Sequence, residues 1–234
     1  MAACGPVNGR STATLGTSAG GKSEGIGLPA LASVGALTIS NNGTLTGFDL
    51  PSLTSVPGGP ELSGRLTISS NARLARIELP QLGFVRAKMS ITRNAALTAI
   101  VLPRLVSSNL HGGPGELHIS DNPVLTDIDL SLLDAVPAGL VVVGNEALTE
   151  LELPALVRAR DTVQIRDNAQ LRRIAMPHLT EATNDLDLYQ NDSLTSIELP
   201  QLTTVGNRLT LSNDRALAAF ELPSLVSIGG GITV

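Results

Sequence analysis

The sequence predicts an all-β solenoid of about eight coils, most of them 23 residues long, stacked into parallel sheets. Three observations predict it. A Leu-Pro-type step recurs at Leu28, Leu50, Leu79, Leu102, Leu130, Leu153, Met176, Leu199 and Leu222, at intervals of 22, 29, 23, 28, 23, 23, 23 and 23 residues. A fixed period in that range marks stacked repeats. Within each period two short stretches alternate apolar and mostly polar residues, the signature of a strand with one buried face. An Asn, or once an Asp, stands at one fixed place between those stretches.

In chain order, residues 1–25 come first. They are rich in Gly, Ser, Thr and Ala, lack periodicity and read as a flexible leader. Ala2-Ala3-Cys4-Gly5 has the form of the end of a lipobox, which makes Cys4 a candidate for lipidation and the leader a candidate tether. Leu15-Gly16-Thr17 stands where a first-strand Leu-x-Ile would fall, and reads as a frayed cap.

From Ile26 the repeat is continuous. The first strand of each coil is read at Leu37-Thr38-Ile39, Leu66-Thr67-Ile68, Met89-Ser90-Ile91, Leu117-His118-Ile119, Leu140-Val141-Val142, Val163-Gln164-Ile165, Leu186-Asp187-Leu188 and Leu209-Thr210-Leu211. The second runs from Phe48-Asp49-Leu50 through Ile77-Glu78-Leu79 to Ile197-Glu198-Leu199 and Phe220-Glu221-Leu222. Proline follows in most coils; it has no N–H to donate, so it ends the strand and turns the chain. A third apolar pair, such as Leu53 with Val56, closes the coil on a short extended or irregular side. Aromatic residues make up only 2% of the chain, so Leu, Ile and Val must build the core.

The polar ladder comprises Asn42, Asn71, Asn94, Asn122, Asn145, Asn168, Asn191 and Asp214. Asn tolerates left-handed backbone and bonds to nearby backbone groups, and in a stack each side chain also reaches the next coil. Recurrence in every coil points to a structural role. The chain stops at Ile232-Thr233-Val234, in the first strand of a further coil. That reads as truncation, or as an end covered by a partner or by end-to-end association.

The unit L-x-I-x-x-N-x-x-L-x-x-I-x-L-P-x-L-x-x-V resembles the receptor L-domain type of leucine-rich repeat, over about 26–234, in its bacterial surface form. The resemblance implies a right-handed, β-helix-like solenoid and a place among surface proteins. It does not extend to the cysteines of the animal receptors, so their ligands are not implied.

Composition narrows the function classes. The chain carries 16 Lys and Arg with a net charge of −5, and its one adjacent basic pair is Arg172-Arg173, so no nucleic-acid partner is expected. No apolar run is long enough for a transmembrane helix. His111, His118 and His178 lack metal-ligand spacing, and no cofactor motif is present.

Two features remain as candidate sites. Two coils carry insertions at one corner, Pro57 to Gly64 and Asn109 to Glu116, with Pro57, Glu61, Asn109, His111 and Glu116 as candidate contact residues. Such insertions mark either a binding face or a tolerated loop. The outward position of the second strand is acidic at Asp49, Glu78, Asp129, Glu152, Glu198 and Glu221. This stripe is either a face for a cationic partner or a solvated face offset by Arg76, Arg172 and Arg173.

The expectation is a noncatalytic, extracytoplasmic binding or adhesion module for a protein or glycan. The competing readings are a carbohydrate-active β-helix enzyme, which needs clustered carboxylates, and a purely structural surface spacer.

Overall fold

The structure, a computed structural model, describes residues 12–15 (backbone only), 25–59, 64–106 and 115–234. Among these there is no helix, and every strand pairing is parallel. The chain winds as a three-sided solenoid. Its first side is a ten-stranded sheet, running from Thr12–Leu15 through Ala36–Ser40, Leu66–Ser69, Met89–Thr92, Leu117–Ser120, Leu140–Val143, Val163–Arg166, Leu186–Tyr189 and Leu209–Ser212 to Ile232–Thr233. Ten strands give about nine turns, one more than the sequence predicts. The extra turn comes from Thr12–Leu15, inside the segment read as leader. It pairs Leu15 with Ile39, so the cap's register differs by two residues from that of a Leu15-Gly16-Thr17 strand.

The second side carries three-residue strands, such as Arg76–Glu78, Asp127–Asp129 and Arg173–Ala175. They start and end one residue earlier than the pattern predicts. The final Leu of each triplet leaves the sheet to become the first residue of a turn. Leu82 N–H donates to Leu79 O at 3.1 Å across Pro80, and Leu156 N–H to Leu153 O at 3.2 Å across Pro154. Proline's fixed φ suits the second position of such a turn. In the last coil Phe220–Leu222 forms no strand, only a bridge between Glu198 and Glu221. The third side is extended, with two-residue strands from Ser55–Val56 to Ser227–Ile228.

Side chains facing inward stack coil upon coil. Leu37, Leu66, Met89, Leu117, Leu140, Val163, Leu186 and Leu209 form one such column, all buried. Each fully buried aliphatic side chain stabilises the fold by about 1.5–3 kcal/mol. Threonines at the corners add stitches between coils: Thr54, Thr98, Thr180 and Thr203 each donate a hydroxyl to a carbonyl of the preceding coil.

The ladder runs through this apolar interior, with Asn42, Asn71, Asn94, Asn122, Asn145, Asn168 and Asn191 all inaccessible to solvent. Its unit is repeated almost unchanged. Asn71 donates both its backbone N–H and its Nδ2 to Oδ1 of Asn94, each at 3.1 Å. The same Nδ2 donates back to Ile39 O at 2.9 Å. Each amide therefore ties its own coil to the one before and the one after. The left-handed backbone predicted at the ladder Asn lies one residue earlier. Asn41, Ser70, Arg93, Asp121, Asp167, Gln190 and Asn213 have φ between 55° and 58°, and Gly144 has 66°. That residue swings the chain out of the strand so that the next side chain turns inward.

Asp214 ends the series differently. Its Oδ1 accepts the Asn191 N–H at 2.8 Å, as an Asn would. Its Oδ2 takes the place of the amide nitrogen that elsewhere donates to carbonyls, and it is buried with no partner. Burial, aided by the charge of Asp192 and opposed by hydrogen bonds from Asn191, pushes its carboxyl above the ordinary value. A raised acid pKa contributes stability below the unfolded value, near 3.9, which is lost as pH rises through the folded value.

Two outcomes are expected from chemical denaturation. Asn145→Leu strands the buried N–H of Asn122 and removes the side-chain donor to the carbonyls of Ile119 and Val143, and lowers stability by about 1–3 kcal/mol. Asp214→Asn restores the missing donor. It raises stability by about 1–3 kcal/mol at neutral pH, and the gain disappears below about pH 4.

Candidate functional site

Positions where the coils differ are the places to look for a site. On the outward face of the first sheet, the early coils present hydroxyls: Thr38 and Ser40, Thr67 and Ser69, Ser90 and Thr92. At Leu117–Ser120 the face changes. Residues 116, 118 and 120 share the outward side of the extended chain, and their side chains form a connected row. Glu116 Oε1 lies 3.0 Å from His118 Nδ1, and His118 Nε2 lies 3.2 Å from Ser120 Oγ. Lys88, one coil back, donates to Glu116 Oε1 at 2.9 Å. Burial works to raise the Glu116 pKa, but the hydrogen bonds and charges of Lys88 and His118 outweigh it and hold the carboxyl below its usual value. Ser120 Oγ donates onward to Asp121 Oδ2 at 3.2 Å.

The next coil offers almost nothing polar. Val141 and Val143 pair with His118 and Ser120 in the sheet, and Gly144 occupies the left-handed corner position. A Cβ on Gly144 would lie 3.1 Å from Asp121 Oδ1, so even an alanine would crowd that carboxylate. The coil after that is polar again, with Gln164 and Arg166 in register and Asp167 at the corner. The result is an open recess of about 530 Å³, floored by Val141, Val143 and Gly144. His118, Ser120 and Asp121 wall one side; Gln164, Arg166 and Asp167 wall the other; Thr92 and Arg93 stand beyond the first wall. At one strand spacing per coil the two walls stand about 10 Å apart.

The charges of the recess are matched in pairs. Arg93 Nε lies 3.8 Å from Asp121, and Arg166 pairs with Asp167. Arg166 also lies over the Tyr189 ring, 5.8 Å from its centroid, and its Nε is enclosed without an acceptor.

The row Glu116, His118, Ser120 has the atom order of a carboxylate–imidazole–hydroxyl relay. Its surroundings fit positioning better than nucleophilic attack. Ser120 is 6% exposed. The Leu117 and Asp121 N–H groups flanking the row are spent on Gly139 O and Val143 O of the next coil. A tetrahedral oxyanion at Ser120 would therefore meet no free amide from this strand.

The other sequence-predicted residues fall as follows. Glu116 belongs to this row and not to the inserted corner. Pro57 leads into its insertion, where Gly58 and Gly64 both have positive φ and a Cβ on Gly64 would sit 2.8 Å from that of Arg86. Glu61, Asn109, His111 and Cys4 lie outside the described residues. His178 is exposed at its turn. His118, an outward strand residue, sits at the centre of the polar row.

The acidic stripe is largely accounted for by partners within the fold. Arg173 makes a two-pronged contact with Glu198, 2.7 Å on each prong, and also holds Glu152. Hydrogen bonds from Arg173, working against partial burial, lower the Glu198 pKa. Arg76 pairs with Glu78 at 3.2 Å. Asp129 Oδ1 accepts the N–H of Ser131 at 3.1 Å, in the one coil where Ser replaces the turn proline and so has an N–H to satisfy. Val101 and Ala175 interrupt the column. Four of the six stripe residues are thus held by partners within the fold.

No family model, curated protein or solved structure matches this chain. Among the described residues, no group of three or more His, Cys, Asp or Glu is placed to hold a metal ion, and no helix is long and apolar enough to cross a membrane.

Proposed function

We propose that this protein is a noncatalytic binding or adhesion module working outside the cytoplasm, and that it contacts a protein or glycan through the recess over Val141, Val143 and Gly144. The observation that carries this reading is the recess itself. It interrupts an otherwise regular face at one coil, and polar side chains gather around it. The resemblance to surface-type L-domain repeats supports the same reading. A tether through Cys4 would place the module on a membrane surface and belongs to the same proposal.

A further enzyme reading, a serine hydrolase distinct from the carbohydrate-active β-helix enzyme expected from the sequence, has one specific observation in its favour, the Glu116–His118–Ser120 row. The two are separated by one set of measurements. Wild type is expected to bind an envelope preparation from its own source, and Val141→Arg, which fills the recess from the solvent side, to lose at least ~10-fold in affinity. A fluorophosphonate probe is expected to leave Ser120 unlabelled. Equal binding by both proteins contradicts the assigned face, and binding by neither gives the spacer. Labelling of Ser120 that His118→Asn abolishes gives the enzyme.

A further inference from the structure

The chemistry of the recess names a narrower ligand class than the function proposed above, on which this step rests. Three properties of the site restrict what it accepts.

The first is charge. Arg93 is matched by Asp121, and Arg166 by Asp167. On the far side of His118, Lys88 is matched by Glu116. A strongly anionic or cationic ligand would have to break one of these pairs to gain another, with little net return. The matched site favours an uncharged ligand.

The second is hydrogen-bonding capacity. Carboxylates of Asp121 and Asp167, the Gln164 amide and the Thr92 hydroxyl line the walls, while the His118 ring and the Ser120 hydroxyl are engaged with Glu116, Asp121 and each other. These groups accept and donate in close alternation, which suits a ligand carrying many hydroxyls. The backbone supplies none of this: on the described strands around the recess the N–H and C=O groups are spent on neighbouring coils. An added peptide strand therefore has no edge to pair with here, which excludes β-augmentation as the mode of binding.

The third is the floor. Val141 and Val143 stand two residues apart on one strand, about 6.6 Å, and both are half-buried. They form a small flat apolar platform, with the Asp121 carboxylate standing against Gly144 at its end. The C–H face of a sugar ring fits such a platform, while its equatorial hydroxyls point to the walls. Tyr189, the chain's single tyrosine, is engaged by Arg166 and leaves that platform to the valines.

We propose that the recess binds a neutral pyranose unit of a glycan, with Val141 and Val143 beneath the ring and Asp121, Gln164 and Asp167 holding its hydroxyls. Both carboxylates keep their arginine partners in the complex, so binding depends weakly on salt.

The test is calorimetric titration of the whole chain with neutral hexasaccharides (β-glucan, α-glucan, mannan and galactan types), with polygalacturonate as the charged comparison. At least one neutral oligosaccharide is expected to bind. Its affinity is expected to change less than ~2-fold between about 50 mM and about 500 mM salt, and to fall at least ~10-fold in Val141→Arg and in Asp167→Ala. Circular dichroism and the melting midpoint establish that both variants fold. Gln164→Ala, a surface change with no backbone role, serves as a third variant if Asp167→Ala does not fold. Preferential binding of polygalacturonate with steep salt dependence overturns the inference. So does the absence of any neutral binder. If the envelope binding sensitive to Val141→Arg persists in that case, the glycan inference fails while the binding-module reading stands. If both are absent, both fail.

Discussion

The structure depends on one interaction, the hydrogen bonding of a buried asparagine to the next coil's asparagine. A three-sided coil made of strands two to five residues long must turn corners, and every corner leaves peptide groups that the sheets do not pair. At the corner after the first strand those groups face inward, away from water. The amide of Asn94 accepts the N–H of Asn71 and donates to the Ile68 carbonyl in the preceding coil, and donates to the Thr92 carbonyl in its own, all with a single planar group. Asparagine alone combines an acceptor, two donors and the short reach this needs. Asp214 shows the consequence of changing one atom of it: the acceptor half of the contact survives and the donor half becomes a buried, unpartnered oxygen.

The fold was largely legible in the sequence because every coil repeats the same physical problem. Period, strand positions and the inward ladder follow from spacing alone. What escaped were features whose sequence signal is shared or weak. The left-handed residue precedes the ladder Asn, and Asn, Asp or Gly occupy that place at Asn41, Asp121, Gly144, Asp167 and Asn213, yet Ser70, Arg93 and Gln190 do not. The conformation at those three is imposed by the stack, against local preference. Thr12–Leu15 sets Ala13 in register with Leu37, where the other coils carry Leu, Met or Val, so composition marked it as leader, while its backbone pairs with Ala36–Ser40.

The candidate site was less legible, for a reason that also explains where it lies. Motif searches weigh residues that are present, and the recess is made by residues that are small: Val141, Val143 and Gly144 between two polar coils. Its signal is the departure of Leu-Val-Val-Val-Gly-Asn from the Leu-Thr-Ile-Ser pattern of the earlier coils. The acidic stripe drew attention by charge, but Arg173, Arg76 and the turn at Ser131 account for four of its members. A regular solenoid thus provides function by local exceptions on a surface that its core keeps flat and rigid.

The central claim is that the ladder bonds hold the coils together, and native-state hydrogen exchange tests it most directly. The backbone N–H groups of Asn71, Asn94, Asn122, Asn145 and Asn168, which leave the sheet yet donate to the next coil, should exchange as slowly as strand amides such as that of Ile91. Exchange at the rate of the exposed turn residues Ala72 and Arg73 would contradict the account, since it would mean that the ladder opens independently of the sheets.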